Sequence, residues 1–321
     1  MLKEIIEEVS KRVEKAEGNH AVFNDRHYKP VKFSLNNFKE ISNSSSGKTI
    51  VFVDGGNSEL VSAPGLSLQL MRNAAVVLKN NKMIKNRKRE FYVLAIAEDK
   101  EVKAKIYTDD GEETEVKGRD LTKLCDSIRK SSEIKFASEM LSEGAVVFLD
   151  GTLEAENDIE KQHFDDLYLE ASKKKVTIAA VAKTTTLTTE KGSSFAAMLD
   201  SKDKNGAWYY YPVAEIASEH HKAEMLFAKM HEKSSHVFRT EIHNQQKEKI
   251  EETIAELKEN SRDLTFPGYP YGLILADKLA RVSDRETDYV KAKLFATAGN
   301  KWNELRKNLA AVNAHEILDS M

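Results

Sequence analysis

AVVFLDGTL, residues 145–153, is a run of five apolar residues broken by Asp150 and Gly151. A short β-branched and aromatic run bounded by turn chemistry reads as a buried strand. Just before it stands Gly144, and the stretch 119–143 repeats its apolar residues at the helical period, so a glycine-closed helix leads into the strand. Upstream, TIVFVDGG at 49–56 has the same form and stops at Asp54 followed by two glycines. Downstream, VTIAAVAKTTT at 176–186 follows a helical stretch at 157–174 and leaves its apolar run at Lys183. Helices alternating with such strands predict an α/β sheet of mixed strand direction, flanked by helices.

Further out, SLQLMRNAAVVLK at 67–79 and EFYVLAIAED at 90–99 read as strands, and residues 103–116 as a pair turning at Asp110-Gly111. Residues 79–89, KNNKMIKNRKR, hold six Lys/Arg and no acid and read as a basic hairpin tip. The Thr-, Ser-, Lys- and Gly-rich stretch 184–206 reads as a mobile loop, and 208–216, 224–230 and 236–242 as three more strands. The last quarter is helical, over 246–259, 272–283, 286–298 and 302–319. At the other end Leu2, Ile5, Ile6, Val9 and Val13 share one helical face, which predicts an amphipathic helix docked on the body of the protein. No repeat or linker divides the chain. The reading is one elaborated domain over 1–321, with an N-terminal helix (1–17), an α/β core (50–241) and a helical C-terminal part (246–321).

The 321 residues carry 49 Lys+Arg against 52 Asp+Glu, a net charge of −3, which excludes a global polyanion-binding field; any nucleic-acid contact must be local. The single cysteine, Cys125, excludes an intramolecular disulfide framework and reads as a buried helical thiol of a reducing compartment. Residues 1–18 alternate acids and bases where an export signal would be apolar, and no apolar run approaches membrane-spanning length. The expected location is cytoplasmic.

Chemistry concentrates at the strand ends. Adjacent strands would bring Asp54 and Asp150 together, and two carboxylates at one site repel unless a divalent cation such as Mg²⁺ or Mn²⁺ neutralises them. The helix between them offers two glutamates. Glu133 shares the apolar face with Ala137, Met140 and Leu141, whereas Glu139 has Lys135, Ser142 and Glu143 as neighbours, so Glu133 is the preferred candidate. His315, among Leu309, Ala311, Val312, Ile317 and Leu318, faces inward on the last helix; the other eight histidines, His220, His221, His231 and His236 among them, are expected at the surface.

VDGG at 53–56, LDGTL at 149–153, VAKTT at 181–185, VFRTE at 237–241, YPYGLILADKLARVS at 269–283 and AHEIL at 314–318 follow the order seen in the NurA nucleases, and over residues 50–320 the chain resembles that family. The resemblance implies an RNase H-like core and a Mn²⁺-dependent site. It also implies 5′-to-3′ exonuclease and single-strand endonuclease activity on DNA ends, a homodimer, and a HerA-type hexameric ATPase as partner in end resection. Carried over by position, it assigns the acids to Asp54, Glu133 and Asp150 and the late histidine to His315; Asp277 receives no role.

Phosphodiester hydrolysis by two Mn²⁺ or Mg²⁺ ions would then use Asp54, Asp150, Glu133 and His315 as ligands, with Lys183 holding the scissile phosphate. Lys82, Lys85, Arg87, Lys88 and Arg89 of the basic tip, with Arg239 and the aromatic run Trp208 to Tyr211, Tyr210 at its centre, are the candidate DNA contacts. The chain has no P-loop, so translocation would need the outside ATPase. Two other readings use the same acids: a non-catalytic DNA-binding subunit of that assembly, and an actin or sugar-kinase type of ATP-handling enzyme, for which a second set of glycine-rich phosphate turns is missing.

Overall fold

A computed structural model describes residues 1–13, 17–44, 47–108, 111, 113–202, 206–299 and 301. In chain order the elements are α1 (Leu2–Val13), β1 (Tyr28–Pro30), β2 (Phe38–Glu40), β3 (Thr49–Ala63), β4 (Leu66–Lys79), β5 (Lys82–Glu98), β6 (Glu101–Thr108) and β7 (Glu113–Gly118). There follow α2 (Leu121–Glu139), β8 (Val146–Asp150), α3 (Asp158–Lys173), β9 (Thr177–Ala182), α4 (Phe195–Asp200), β10 (Trp208–Tyr210), β11 (Ala214–Ile216), β12 (Ala223–Lys229) and β13 (Phe238–His243). The helices α5 (Ile250–Glu259), α6 (Tyr271–Ala280) and α7 (Asp284–Ala298) complete them. Eleven strands form one sheet in the order β2-β10-β12-β13-β9-β8-β3-β4-β5-β6-β7. β3, β8 and β9 are parallel, and β13 joins β9 antiparallel. The fold is therefore the mixed α/β sheet with flanking helices expected from the Asp-Gly strand ends.

The contacts divide into two compact units. The first, Met1–Val53, Ala75–Asn86 and Ile134–Ala276, is built on the three parallel strands. Alternation sends Val51, Val53, Val147, Leu149, Ile178 and Ala180 into one core with Phe136 of α2, with Met140 and Leu141 just beyond its end, and with Phe164, Leu167 and Tyr168 of α3. The opposite face carries Phe52 stacked on Phe148, centroids 5.3 Å apart. α6 starts on that ring: a Cβ at Gly272 would lie 2.0 Å from Phe52 Cδ2, so only glycine lets the helix approach. Asn157 caps α3 by accepting from the Ile159 and Glu160 amides.

The second unit, Asp54–Ala74, Arg87–Glu133 and Asp277–Met321, buries Met71, Phe91, Val93, Ala95, Val102 and Ala104 of its strands against Leu124, Cys125 and Ile128 of α2. Burial raises the Cys125 thiol to about 11, which leaves it an inert packing group.

Three expectations change. The apolar residues Leu2, Ile5, Ile6 and Val9 of α1 are exposed rather than docked on the body. The stretch 184–206 is not all loop, because Phe195, Met198 and Leu199 bury the short helix α4. The basic tip is a strand: the chain reverses at Asn80-Asn81, both at positive φ, and Lys82, Lys85, Arg87, Lys88 and Arg89 lie along β5. Two asparagines tolerate the left-handed turn, so strand pairing runs up to it and leaves no loop.

Candidate active site

Ile50 to Val53 of β3 face Val146 to Leu149 of β8 in register. The next residue on each strand is an aspartate, so parallel pairing delivers Asp54 and Asp150 to neighbouring positions at one end of the sheet. Asp150 in turn faces Val181 of β9, and two residues on Lys183 places its Nζ 2.5 Å from Asp150 Oδ2.

Around Asp54 the backbone is closely packed. The Gly55 amide donates to Asp54 Oδ1 at 2.7 Å. A Cβ at Gly55 would lie 3.1 Å from both Asn73 Oδ1 and Glu133 Oε2, so the glutamate's carboxylate lies against the residue after Asp54. Arg129, one turn earlier on α2, donates Nη1 to the Gly55 carbonyl at 3.0 Å and stands 3.6 Å from Glu133 Oε2. Glu133 is 5% exposed, and Glu139 is exposed. The end of α6 also lies on this strand: a Cβ at Gly56 would be 2.5 Å from the Ala280 carbonyl oxygen.

Asp277 rides on that helix, with Arg281 Nη2 3.0 Å from its Oδ2. Asp54, Asp150 and Asp277 each offer one carboxylate oxygen, and these oxygens lie within 4.8 Å of one another. Three hard oxygen donors at that spacing suit Mg²⁺ or Mn²⁺. Lys183 and Arg281, each on one of the carboxylates, partly offset their charge within the chain itself.

Asp277 is the residue that sequence reasoning missed. Its signal was an acid inside the mostly apolar helix LILADKLA, spaced four residues from Arg281. His315 lies outside the described residues.

Two expected DNA contacts are not available as such. Tyr210 is 1% exposed, its ring stacked on Phe33 and its hydroxyl accepting from the Ser34 amide at 3.1 Å, so it is a core residue. Arg239 donates Nε to Glu241 Oε1 at 2.6 Å, pairs through Nη2 with the same carboxylate, and lies 3.6 Å from Glu154. His221, expected at the surface, is buried in that network, 3.0 Å from Glu241 Oε2 through Nε2 and 2.8 Å from the Tyr28 hydroxyl through Nδ1. Burial opposes ionisation of Glu241, but the charges of His221 and Arg239 outweigh it and hold the carboxyl well below its usual range. The same carboxylate accepts the Leu153 amide at 2.7 Å and so fixes the loop that follows Asp150.

Comparison with known proteins agrees with this architecture. The NurA domain profile matches residues 48–282. No curated protein matches the chain significantly. The crystal structure of the NurA nuclease from Sulfolobus solfataricus is similar with a TM-score of 0.61 at 13% identity, over 94% of this chain and 95% of that one. The catalytic domain of human endonuclease V is similar at a TM-score of 0.42 and 14% identity, over 78% of this chain and 85% of that one. At such identities the likeness is one of fold.

Proposed function

Because the chain belongs to the NurA family, we propose that it is a metal-dependent nuclease that hydrolyses DNA phosphodiesters. The observation that carries this reading is the convergence of Asp54, Asp150 and Asp277 on one point at the end of the sheet. These three carboxylates would hold the cation, Mn²⁺ or Mg²⁺. A divalent ion bound there supplies charge neutralisation at the phosphoryl oxygens and a more acidic water.

The chain's own groups divide the remaining work. Glu133, oriented by Arg129 beside Asp54, orients the attacking water and accepts its proton. Lys183 has a partly exposed ammonium at Asp150, able to move from that carboxylate to a non-bridging oxygen of the scissile phosphate. The exposed cations of β5, Lys82, Lys85 and Lys88, would supply local backbone contacts, since a chain of near-neutral net charge has no global field to do so. A second ion, 5′-to-3′ polarity, single-strand endonuclease activity, a homodimer and work with a HerA-type ATPase at DNA ends complete the proposal. Family membership and the resemblance of six ordered motifs support them.

The test is cleavage of end-labelled single- and double-stranded DNA with Mn²⁺, Mg²⁺ or EDTA, comparing wild type with Asp54→Asn and Asp150→Asn. Metal-dependent degradation lost in both folded variants is the expected result, and label position gives the polarity. A wild type that binds DNA but cuts it with no metal overturns the proposal in favour of the non-catalytic subunit.

A further inference from the structure

At the start of β13 the chain builds an aromatic group that the chemistry above does not use. The exposed ring of His236 lies nearly parallel to Phe238, 11° between planes and 5.8 Å between centroids, and stands edge-on to Phe266 at 5.2 Å. Beneath them Tyr269, 2% exposed, contacts Phe238, itself buried, at 5.2 Å and stacks on Phe266 at 5.3 Å, so the exposed His236 ring is backed by buried ones. The backbone fixes His236 as well. Ser234 Oγ accepts the His236 amide at 3.1 Å and donates to its carbonyl at 3.0 Å, and Ser235 Oγ lies 3.0 Å from the ring Nδ1. The close approach needs Gly268, where a Cβ would be 2.5 Å from Ser234 Oγ.

Register places this group. Asp150 faces Val181 on β9, and Val181 faces Thr240 on β13. Two strand spacings, roughly 10 Å, therefore separate the Asp150 row from β13. β13 runs antiparallel to β9, so stepping back from Thr240 through Arg239 to Phe238 and His236 leads toward the end of the sheet where Asp150 and Lys183 emerge.

We propose that His236, backed by Phe238 and Phe266, is a stacking platform for an unpaired base of the strand being cut. This inference rests on the nuclease reading and adds a recognition site to it. An exposed aromatic ring at the same end of the sheet as a phosphate-handling centre suits a nucleobase further along the same strand, because every base presents a π-face whatever its sequence. The platform therefore selects single-stranded over paired substrate without reading sequence.

The experiment measures binding of the full chain to a labelled oligothymidine of about 20 nucleotides in EDTA, and cleavage of the same strand with Mn²⁺. Wild type, His236→Ala and His236→Phe are compared on normal strands and on strands whose bases are replaced by abasic spacers. His236→Ala is expected to weaken binding to the normal strand about tenfold and to raise KM with kcat little changed. His236→Phe retains binding. On the abasic strand wild type should bind as weakly as His236→Ala, and the substitution should cost nothing further. Equal binding by wild type and His236→Ala on the normal strand, or an equal loss on the abasic strand, overturns the platform while leaving metal-dependent cleavage intact. A wild type that cuts no strand with any metal overturns the nuclease reading instead.

Discussion

Glu133 and Glu139 share one helix but meet different surroundings. The first is buried against Gly55 with Arg129 at 3.6 Å, whereas the second is exposed. If Glu133 handles the attacking water, Glu133→Gln keeps the shape and the Arg129 contact but removes the base, and kcat should fall by about 10²-fold or more. Glu139→Gln should leave kcat unchanged; equal effects of the two substitutions in a Mn²⁺ cleavage assay would remove the distinction. The burial of Glu133 was legible because helical phase alone puts it on the side of Ala137 and Met140. Asp277 was not, because its place at the site depends on where α6 lies, and that follows from the contacts of Gly272 with Phe52 and of Gly56 with Ala280. Buried residues such as Tyr210 and His221 were misread for a related reason: an aromatic or titratable side chain looks alike in sequence whether a partner covers it or solvent does.

The corner between α6 and α7 shows how one element holds a site carboxylate in place. Arg72 of β4 donates Nη1 to the Arg281 carbonyl at 2.8 Å, and its Nε and Nη2 pair with Glu90 at 2.7 Å and Glu286 at 3.1 Å. Glu286 closes a capping box with Ser283 at the start of α7. The Ser283 amide, then Arg72, hold the Glu286 carboxyl down at about 2, against the 4.5 of an ordinary glutamate. A depressed carboxylate stabilises the fold fully above its unfolded value and stops doing so as pH falls through the folded one. The gap in melting temperature between wild type and Glu286→Gln should therefore be largest near neutrality and close between pH 4.5 and about 2. With half of Glu286 in solvent, the effect is about 1 kcal/mol or less. Gly56→Ala tests the same corner sterically. Its Cβ would meet a backbone carbonyl that cannot rotate away, so a loss of about 1–3 kcal/mol in denaturant unfolding is expected. At this scale the sequence told most about strands and helices that end on glycine or a cap. It told least about the β4–β5 hairpin, where an asparagine pair turns so tightly that a charged run expected in a loop belongs to a strand.

Over the whole molecule, the arrangement that would hold a cation works against stability. Placing the oxygens of Asp54, Asp150 and Asp277 within 4.8 Å of one another brings like charges together, and the fold has to hold them there. The parallel register of β3 and β8 fixes two of the acids, and that much could be read from TIVFVDGG and AVVFLDGTL. Lys183 and Arg281 offset part of the repulsion, but each is one solvated cation against a shared cluster. Two consequences follow for thermal unfolding. In EDTA, Asp54→Asn should be as stable as wild type or more so, because one repelling charge is gone and an amide can still accept from the Gly55 N–H. On adding Mn²⁺, wild type should gain about 2.7 kcal/mol at a hundredfold excess over the dissociation constant, since a ligand of the folded state alone stabilises by mass action. Asp54→Asn and Asp277→Asn should lose most of that gain, whereas Glu139→Gln should keep it. A wild type whose melting temperature ignores Mn²⁺, or an Asp277→Asn variant that responds as fully as wild type, would show that the three carboxylates do not act as one cation site.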